Sequence, residues 1–232
     1  FGGYSDLVTI RGERAFKAAK NDCLRELAAL PAVYLTVAHS LKVLNPQPGQ
    51  SIYITAVAGG IGTAALQMAK NLQLQTIGSA SSRIKLEKAE TYGLSAGINS
   101  SDEDIVDRLF KLTGGKGVDL ILDSLGGTAL KKSLKALKPM GRAVTIGGAS
   151  VLPPDGGFLR HPLAMISSAR EYLSAKIHPL ALISRNISLG GVQLLLLWDE
   201  LPYLRSLMED LLGLYRKKVI QPVIYGVYPL QE

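Results

Sequence analysis

Ala56-Val57-Ala58-Gly59-Gly60-Ile61-Gly62 lies between an apolar, β-branched stretch at residues 51–57 and an amphipathic one at residues 60–72. A strand that enters a helix through a glycine-rich turn is the local pattern of dinucleotide-binding folds. One glycine makes the tight turn, a second lets backbone approach a pyrophosphate, and a third lets the helix pack closely on the strand. Gly59 and Gly62 stand in the second and third roles, while Val57 occupies the place of the first glycine, so the general fingerprint is met in part. The same glycines would also serve a tight strand-to-helix turn that holds no ligand, and the turn alone leaves both readings open. Other phosphate and nucleophile motifs fit worse: residues 126–133 lack Walker A spacing, and no Gly-x-Ser-x-Gly elbow occurs.

Outward from the turn, short apolar runs alternate with helical periods. The helix at residues 60–72 draws its apolar face from Ile61, Ala65, Leu66, Met68 and Ala69. Strands follow at residues 74–80, 96–99, 118–123 and 142–147, and helices at 82–92, 102–113 and 128–137. The helix at 102–113 begins with acids at its positive end and stops at Gly114-Gly115. Alternating strands and helices with short links predict an α/β fold, a doubly wound parallel sheet covered on both faces. On the flanks, residues 6–10 read as strand-like and residues 22–41 as helix with a break at Pro31. Residues 153–157 form a turn-rich linker, and residues 159–182 read as helix in pieces. The stretch from Leu189 to Leu197 reads as a strand, and residues 202–219 as an amphipathic helix ended by Pro222.

With 232 residues and 47% hydrophobic content the chain can bury a large core, and 19% charged residues mixed into apolar periods argue against disorder. The single cysteine, Cys23, cannot form an internal disulfide, which points to a reduced compartment and a cytoplasmic location. Phe1 opens the chain without a signal-peptide pattern, and the chain reads as a piece of something longer. The apolar run from Leu194 to Trp198 is far shorter than the roughly 20 residues that span a bilayer, so no transmembrane segment is expected. A formal charge of +7 is compatible with nucleic acid, an acidic membrane surface or an anionic cofactor. The basic residues, however, are scattered on helices, with small groups at Lys131-Lys132 and Arg216-Lys217-Lys218, and no nucleic-acid-binding motif accompanies them. They read as solvated helix faces, apart from a group near Lys85.

That group bears on the ligand. An NAD site usually places an acid about 20 residues beyond the glycines, where it accepts hydrogen bonds from the ribose 2′-hydroxyl. Here the region reads Gly78-Ser79-Ala80-Ser81-Ser82-Arg83-Ile84-Lys85, with no acid before Glu87. Hydroxyls and cations hold a 2′-phosphate that a carboxylate would repel, so Ser81, Arg83 and Lys85 favour NADPH. The competing reading makes Ser82 a helix cap and leaves Arg83 and Lys85 as exposed helix residues.

Taken together, the glycine turn, Leu30-Pro31-Ala32-Val33-Tyr34-Leu35-Thr36, Leu112-Thr113-Gly114-Gly115-Lys116-Gly117-Val118-Asp119 and Asp123-Ser124-Leu125-Gly126-Gly127 resemble the zinc-independent quinone oxidoreductases among the medium-chain dehydrogenases/reductases. The similarity runs from Gly2 to Gln231, and the long segment between Gly148 and Gly191 looks like the branch related to synaptic vesicle amine-transport protein. The resemblance implies a GroES-like substrate lobe, of which residues 1–20 would be a remnant, and a Rossmann-type NADP-binding domain over residues 21–232. The family's last helix and strand are missing from it. It places Gly59, Gly60, Ile61 and Gly62 at the pyrophosphate, Ser81 and Lys85 at the 2′-phosphate, Ser124 and Leu125 along the cofactor, and Thr36, Gly147 and Gly148 near the nicotinamide. Val57 departs from the usual alanine, Ser100 from a tyrosine, and Val192 from a phenylalanine near the nicotinamide. The cysteine ligand of zinc-dependent relatives is absent, since Pro31, Ala32 and Val33 stand there, so no metal is expected. His39, His161 and His178 are isolated and read as structural or surface residues, and no catalytic residue is assigned.

The implied activity is hydride transfer from NADPH to a quinone or another α,β-unsaturated carbonyl. Alternatives are a catalytically weak nucleotide-binding regulatory or membrane-associated protein on the same fold, and an enoyl reductase. Relatives pair their nucleotide-binding sheets edge to edge, so a homodimer is expected through the strand Leu189 to Leu197, with Val192, Leu194 and Leu196 on one face.

Overall fold

A computed structural model describes residues 5–147 and 176–229. The chain enters through α1 (Leu24–Ala29) and α2 (Leu35–Leu44), joined by a single π turn, Leu30–Tyr34. Pro31 therefore does not break the helix. Its missing N–H is absorbed by the widened turn, so the two helices continue as one apolar segment. This segment, Leu24–Leu44, is long and apolar enough to cross a bilayer by length and composition. Leu30, Tyr34, Val37, Leu41 and Leu44 are nonetheless buried against the rest of the chain, as in the core helix of a globular domain.

Beyond it the chain alternates: β1 (Ser51–Ile54), α3 (Gly60–Asn71), β2 (Gln75–Ala80), α4 (Arg83–Glu90), β3 (Ala96–Asn99), α5 (Ile105–Leu112), β4 (Val118–Asp123), α6 (Gly127–Leu134), β5 (Leu137–Thr145) and β6 (Ser188–Gly191). A short helix, Pro179–Ile183, precedes β6, and a closing helix, Leu201–Arg216, follows it. Among the described residues the six strands lie in the order β3-β2-β1-β4-β5-β6, and every neighbouring pair is parallel. That is the predicted doubly wound sheet, with its order reversing between β1 and β4, the place where such folds open a crevice.

Side-chain alternation divides the core between the two faces. Ile52, Ile54, Leu120, Leu122 and Val144 pack with α2, α3 and the closing helix, while Tyr53, Ile121 and Ala143 pack with α5 and α6. Asp104 caps α5, its carboxylate accepting from the N–H groups of Val106 (2.9 Å) and Asp107 (3.0 Å), as the acids at the predicted helix start require. Tyr34 and Gln67 tie the segment after the closing helix to α3. The Tyr34 hydroxyl and the Gln67 amide both donate to the Gln221 carbonyl, at 3.1 and 3.0 Å, and the Gln221 N–H donates back to Gln67 at 2.6 Å.

Several predicted boundaries shift. The first strand ends at Ile54 rather than at residue 57, because Ala56 turns into the left-handed region at φ 47. Residues 6–10 form no strand: Leu7 and Val8 are exposed, and the sheet edges are β3 and β6. The stretch from Leu189 to Leu197 is strand as far as Gly191, and Leu194–Leu197 winds into a 3-10 turn. Val192 is consequently buried while Leu196 is 82% exposed, so Val192, Leu194 and Leu196 do not share a strand face. Four successive leucines carry no period of two, and the chain must turn there to enter the closing helix. The linker at 153–157, residues 159–175, Gly148 and His161 lie outside the described residues.

Close packing at Val57 fixes α3 on the sheet. A Cβ on Gly62 would lie 2.2 Å from the Val57 carbonyl oxygen, and one on Gly78 would lie 2.5 Å from Val57 Cγ2. Gly78 on β2 is thus the space that receives the Val57 side chain. Gly78→Ala is expected to destabilise the fold by about 1–3 kcal/mol through overpacking, and Val57→Ala in the same chain to restore much of the loss. Urea titration of the two single variants and the double variant measures the coupling, and additive losses would show that the two residues do not share that space.

Candidate functional site

The C-terminal tips of β1, β2, β3 and β4 surround a cleft of about 730 Å³, lined by residues that include Thr55, Gly59, Ser81, Lys85, Ser100, Leu125 and Lys132. At β1 the chain leaves the sheet with two more bonds, Thr55 N–H to Leu122 O (3.2 Å) and Val57 N–H to Ser79 O (2.9 Å), before turning into α3. Gly59 is the N-cap of α3 and has no side chain to cap it. The first-turn N–H groups of Gly60, Ile61 and Gly62, with the positive end of the helix dipole, can therefore serve an anion. Gly59 itself is confined, since a Cβ there would lie 3.2 Å from the Ala56 carbonyl. Gly62 meets the close-packing role predicted for it, and the left-handed backbone falls on Ala56 rather than on Val57.

At the tip of β2, Lys85 Nζ donates to Ser81 Oγ at 2.9 Å, and both residues line the cleft. Arg83 behaves differently. Its side chain is 84% exposed and leans on Glu87 at 4.0 Å, away from the lining residues. Ser82 sits at the N-cap of α4 but makes no side-chain capping bond. The tip of β3 is laced to that of β2 by hydroxyls: Ser100 donates to the Ala80 carbonyl at 3.1 Å and Ser101 to the Ser81 carbonyl at 3.0 Å.

Asp123, fully buried at the end of β4, organises the remaining tips. Its carboxylate accepts from the Thr55 hydroxyl (3.2 Å), the Leu125 N–H (3.4 Å), the Gly126 N–H (2.8 Å) and the Thr145 hydroxyl (2.9 Å). Burial pushes this carboxyl above the usual carboxylate range, and the four donors pull against that rise. Thr55 in turn accepts from the Ser124 N–H at 2.8 Å, and Gly126 and Gly127 take left-handed backbone, φ 71 and 56, to start α6. One carboxylate thereby joins β1, β4 and β5. Leu125 reaches the cleft, whereas Ser124 turns its hydroxyl toward the Thr55 carbonyl at 3.4 Å. Beneath them, the Tyr53 hydroxyl pairs with Ser79 at 2.8 Å, and burial pushes this phenol up to about 12, so it stays protonated at neutral pH.

A second hollow of about 550 Å³ opens beside the tips of β5 and β6, lined by His39, Gly147, Val192 and Leu196 among others. Gly147 is confined by the turn after β4, since a Cβ there would lie 2.7 Å from the Ser124 carbonyl. His39 hydrogen-bonds Tyr203 through Nδ1 at 2.7 Å, and burial lowers its pKa. Thr36, one turn earlier on α2, donates its hydroxyl to the Ala32 carbonyl at 2.7 Å and lines neither hollow. Among the described residues no three His, Cys, Asp or Glu side chains gather as a metal site.

The structure thus brings Gly59, Ser81, Lys85 and Leu125 to one cleft and Gly147 to another, with Gly60, Ile61 and Gly62 in the adjoining helix turn. Asp123, Tyr53, Lys88 and Lys132 also stand at the site, although the sequence assigns none of them a role there. For Asp123 a signal existed, since an acid closing the apolar run Leu120-Ile121-Leu122 must be buried with partners. Lys132 carried none, because its position opposite α4 follows from strand order alone.

The family model for zinc-binding dehydrogenases matches residues 60–192. Over all 232 residues the chain is 32% identical to the synaptic vesicle membrane protein VAT-1 homolog of Mus musculus, and it spans 56% of that protein's length. The quinone oxidoreductase of Thermus thermophilus, solved also in complex with NADPH, superposes with a TM-score of 0.76 at 28% identity, covering 99% of this chain and 67% of that one. CurK enoyl reductase superposes with a TM-score of 0.73 at 27% identity, covering 96% and 60%.

Asp123→Asn replaces an acceptor oxygen with an amide and leaves a buried N–H or hydroxyl unanswered, which costs about 1–3 kcal/mol. The variant is expected to unfold at lower denaturant concentration by that amount. Unchanged stability in a guanidinium titration would show that the network does not hold the tips together.

Proposed function

Because the chain belongs to the zinc-binding dehydrogenase family, in its zinc-independent, quinone-oxidoreductase-like group, we propose that it binds NADPH and serves hydride transfer to a quinone or another α,β-unsaturated carbonyl. The observation that carries the reading is the Ser81–Lys85 pair on the cleft wall where an NAD site would have an acid. Gly59 and the uncapped start of α3 fit a pyrophosphate, with Gly60, Ile61 and Gly62 presenting backbone to it. Ser81 and Lys85 would hold the 2′-phosphate, and Arg83 would join them by leaving Glu87. Leu125 and Ser124 would lie along the cofactor, and Gly147, Gly148 and Thr36 would flank the nicotinamide.

A reduced nicotinamide supplies the hydride, and the chain's contribution is orientation and exclusion of water. The chain spans little more than half the length of the mouse relative, so the groups that clamp the acceptor belong to this proposal as a further lobe, with residues 1–20 as its edge. Likeness to CurK enoyl reductase favours a second reading in which the acceptor is an enoyl group and the hydride chemistry is the same. We place a second copy of the chain against the β6 edge, where Leu195, Leu196 and Trp198 are exposed. Light scattering at micromolar concentration should give a dimer, and a monomer would remove this interface.

Calorimetry should show tighter binding of NADPH than of NADH. Lys85→Glu should abolish that preference, weakening NADPH roughly tenfold or more, as the loss of a charge-assisted bond implies. Equal affinities in the parent chain would overturn the cofactor assignment. NADPH oxidation over a panel of quinones and enoyl thioesters then separates the two acceptor classes, and binding without turnover by the longer protein would favour a non-catalytic nucleotide-binding role.

A further inference from the structure

The cleft has a second wall that the glycine turn and the β2 tip do not supply. α6 faces α4 across the crevice, and its Lys132 lines the same space as Ser81, Lys85 and Lys88. Among the described residues no Asp or Glu lines this cleft, and neither Lys88 nor Lys132 takes part in an ion pair. Asp104 feels the charge of Lys132, but its carboxylate is engaged by the N–H groups of Val106 and Asp107. Arg83, the cation that the sequence places beside Lys85, is turned to Glu87. At Ser100, between the walls, a short side chain donates its hydroxyl to the Ala80 carbonyl and leaves the gap between α4 and α6 open. Cations therefore converge from two helices on a volume with no carboxylate on its walls, which is the arrangement a multiply charged anion requires.

We propose that Lys132 is a specificity-determining contact for the extra phosphate of an adenosine 2′-phosphate, approaching from α6 while Lys85 approaches from α4 and Ser81 from the tip of β2. The proposal rests on the NADPH reading and adds a residue to it. A phosphate monoester offers three acceptor oxygens, more than Lys85 and Ser81 can satisfy, and an ammonium on a flexible stem can meet one of them from any direction. Lys132 is exposed at the mouth of the cleft, so it acts as a second point charge rather than a buried ligand.

The test uses 2′,5′-ADP and 5′-AMP, which differ in the 2′-phosphate alone, titrated calorimetrically into the parent chain and into Lys132→Met, Lys85→Met and Lys135→Met. Lys135, the C-cap residue of α6, is an exposed cation outside the cleft lining, so its variant measures the change in overall charge. Lys132→Met should weaken 2′,5′-ADP roughly fivefold to tenfold and leave 5′-AMP within about twofold, while Lys135→Met changes both by less than about twofold. Melting curves of the Lys132 and Lys135 variants should match the parent, since both side chains are exposed. If Lys132→Met behaves like Lys135→Met while Lys85→Met loses the preference for 2′,5′-ADP, the second wall is wrong and the cofactor assignment stands. An equal loss for 5′-AMP in Lys132→Met would place Lys132 at the 5′-phosphate and also overturn the proposal. If the parent chain shows no preference for 2′,5′-ADP, both readings fall together.

Discussion

Around Val57, where the turn after β1 meets α3 and β2, there is room for a hydrogen atom and nothing larger: a Cβ at Gly62 would sit 2.2 Å from the Val57 carbonyl, and one at Gly78 2.5 Å from the Val57 side chain. Because protein interiors are close-packed, such an approach has one solution, and it sets the distance from the helix start to the tips of both β1 and β2. The uncapped N–H groups of α3 and the Ser81–Lys85 pair owe their separation to that contact. Val57 is larger than the residue the family resemblance leads one to expect, and the glycine at position 78 provides the volume it occupies. The phosphate-binding turn and the neighbouring strand are therefore a single packing unit.

Asp123 is the polar counterpart of that contact. A carboxylate without solvent exposure is costly unless its oxygens are answered, and here four donors from β1, β5 and the turn after β4 answer them. Its geometry holds the switch point open: β1 and β4 are adjacent in the sheet but send their helices to opposite faces, and the carboxylate bridges the gap where they part. Gly126 and Gly127 then reverse the chain in backbone that few other residues adopt, so that α6 starts close enough for Leu125 to reach the cleft.

The apolar helix of residues 24–44 shows how composition can point two ways. Length and hydropathy suit a bilayer, yet the same side chains fill the space between α3 and the closing helix, and Tyr34 is committed to Gln67 and Gln221. The π turn around Pro31 keeps the apolar face in register with that core while continuing the helix. His39 follows in α2 and lines the hollow beside the β5 and β6 tips, which connects the proposed nicotinamide end of the crevice to this helix.

The α/β alternation, the parallel sheet and the glycine turn were legible in the sequence because each rests on local periodicity or on a residue type needed at one spot. Gly62 had to be small, residues 118–123 had to be a buried strand, and the acids from Asp102 onward had to stand at a helix start, while only the structure made Asp104 the cap. The stretch from Leu189 to Leu197 is strand only as far as Gly191, because consecutive leucines carry no period of two and its further course is set by the need to enter the closing helix. The direction of Arg83 and the role of Lys132 were decided by tertiary structure alone. One depends on which side of α4 faces the crevice. The other depends on strand order, which brings α6 opposite α4 although β3, α5 and β4 lie between them in the chain. Local physics writes turns and periods into the sequence, whereas the meeting of two helix faces across a crevice is a property of the folded sheet.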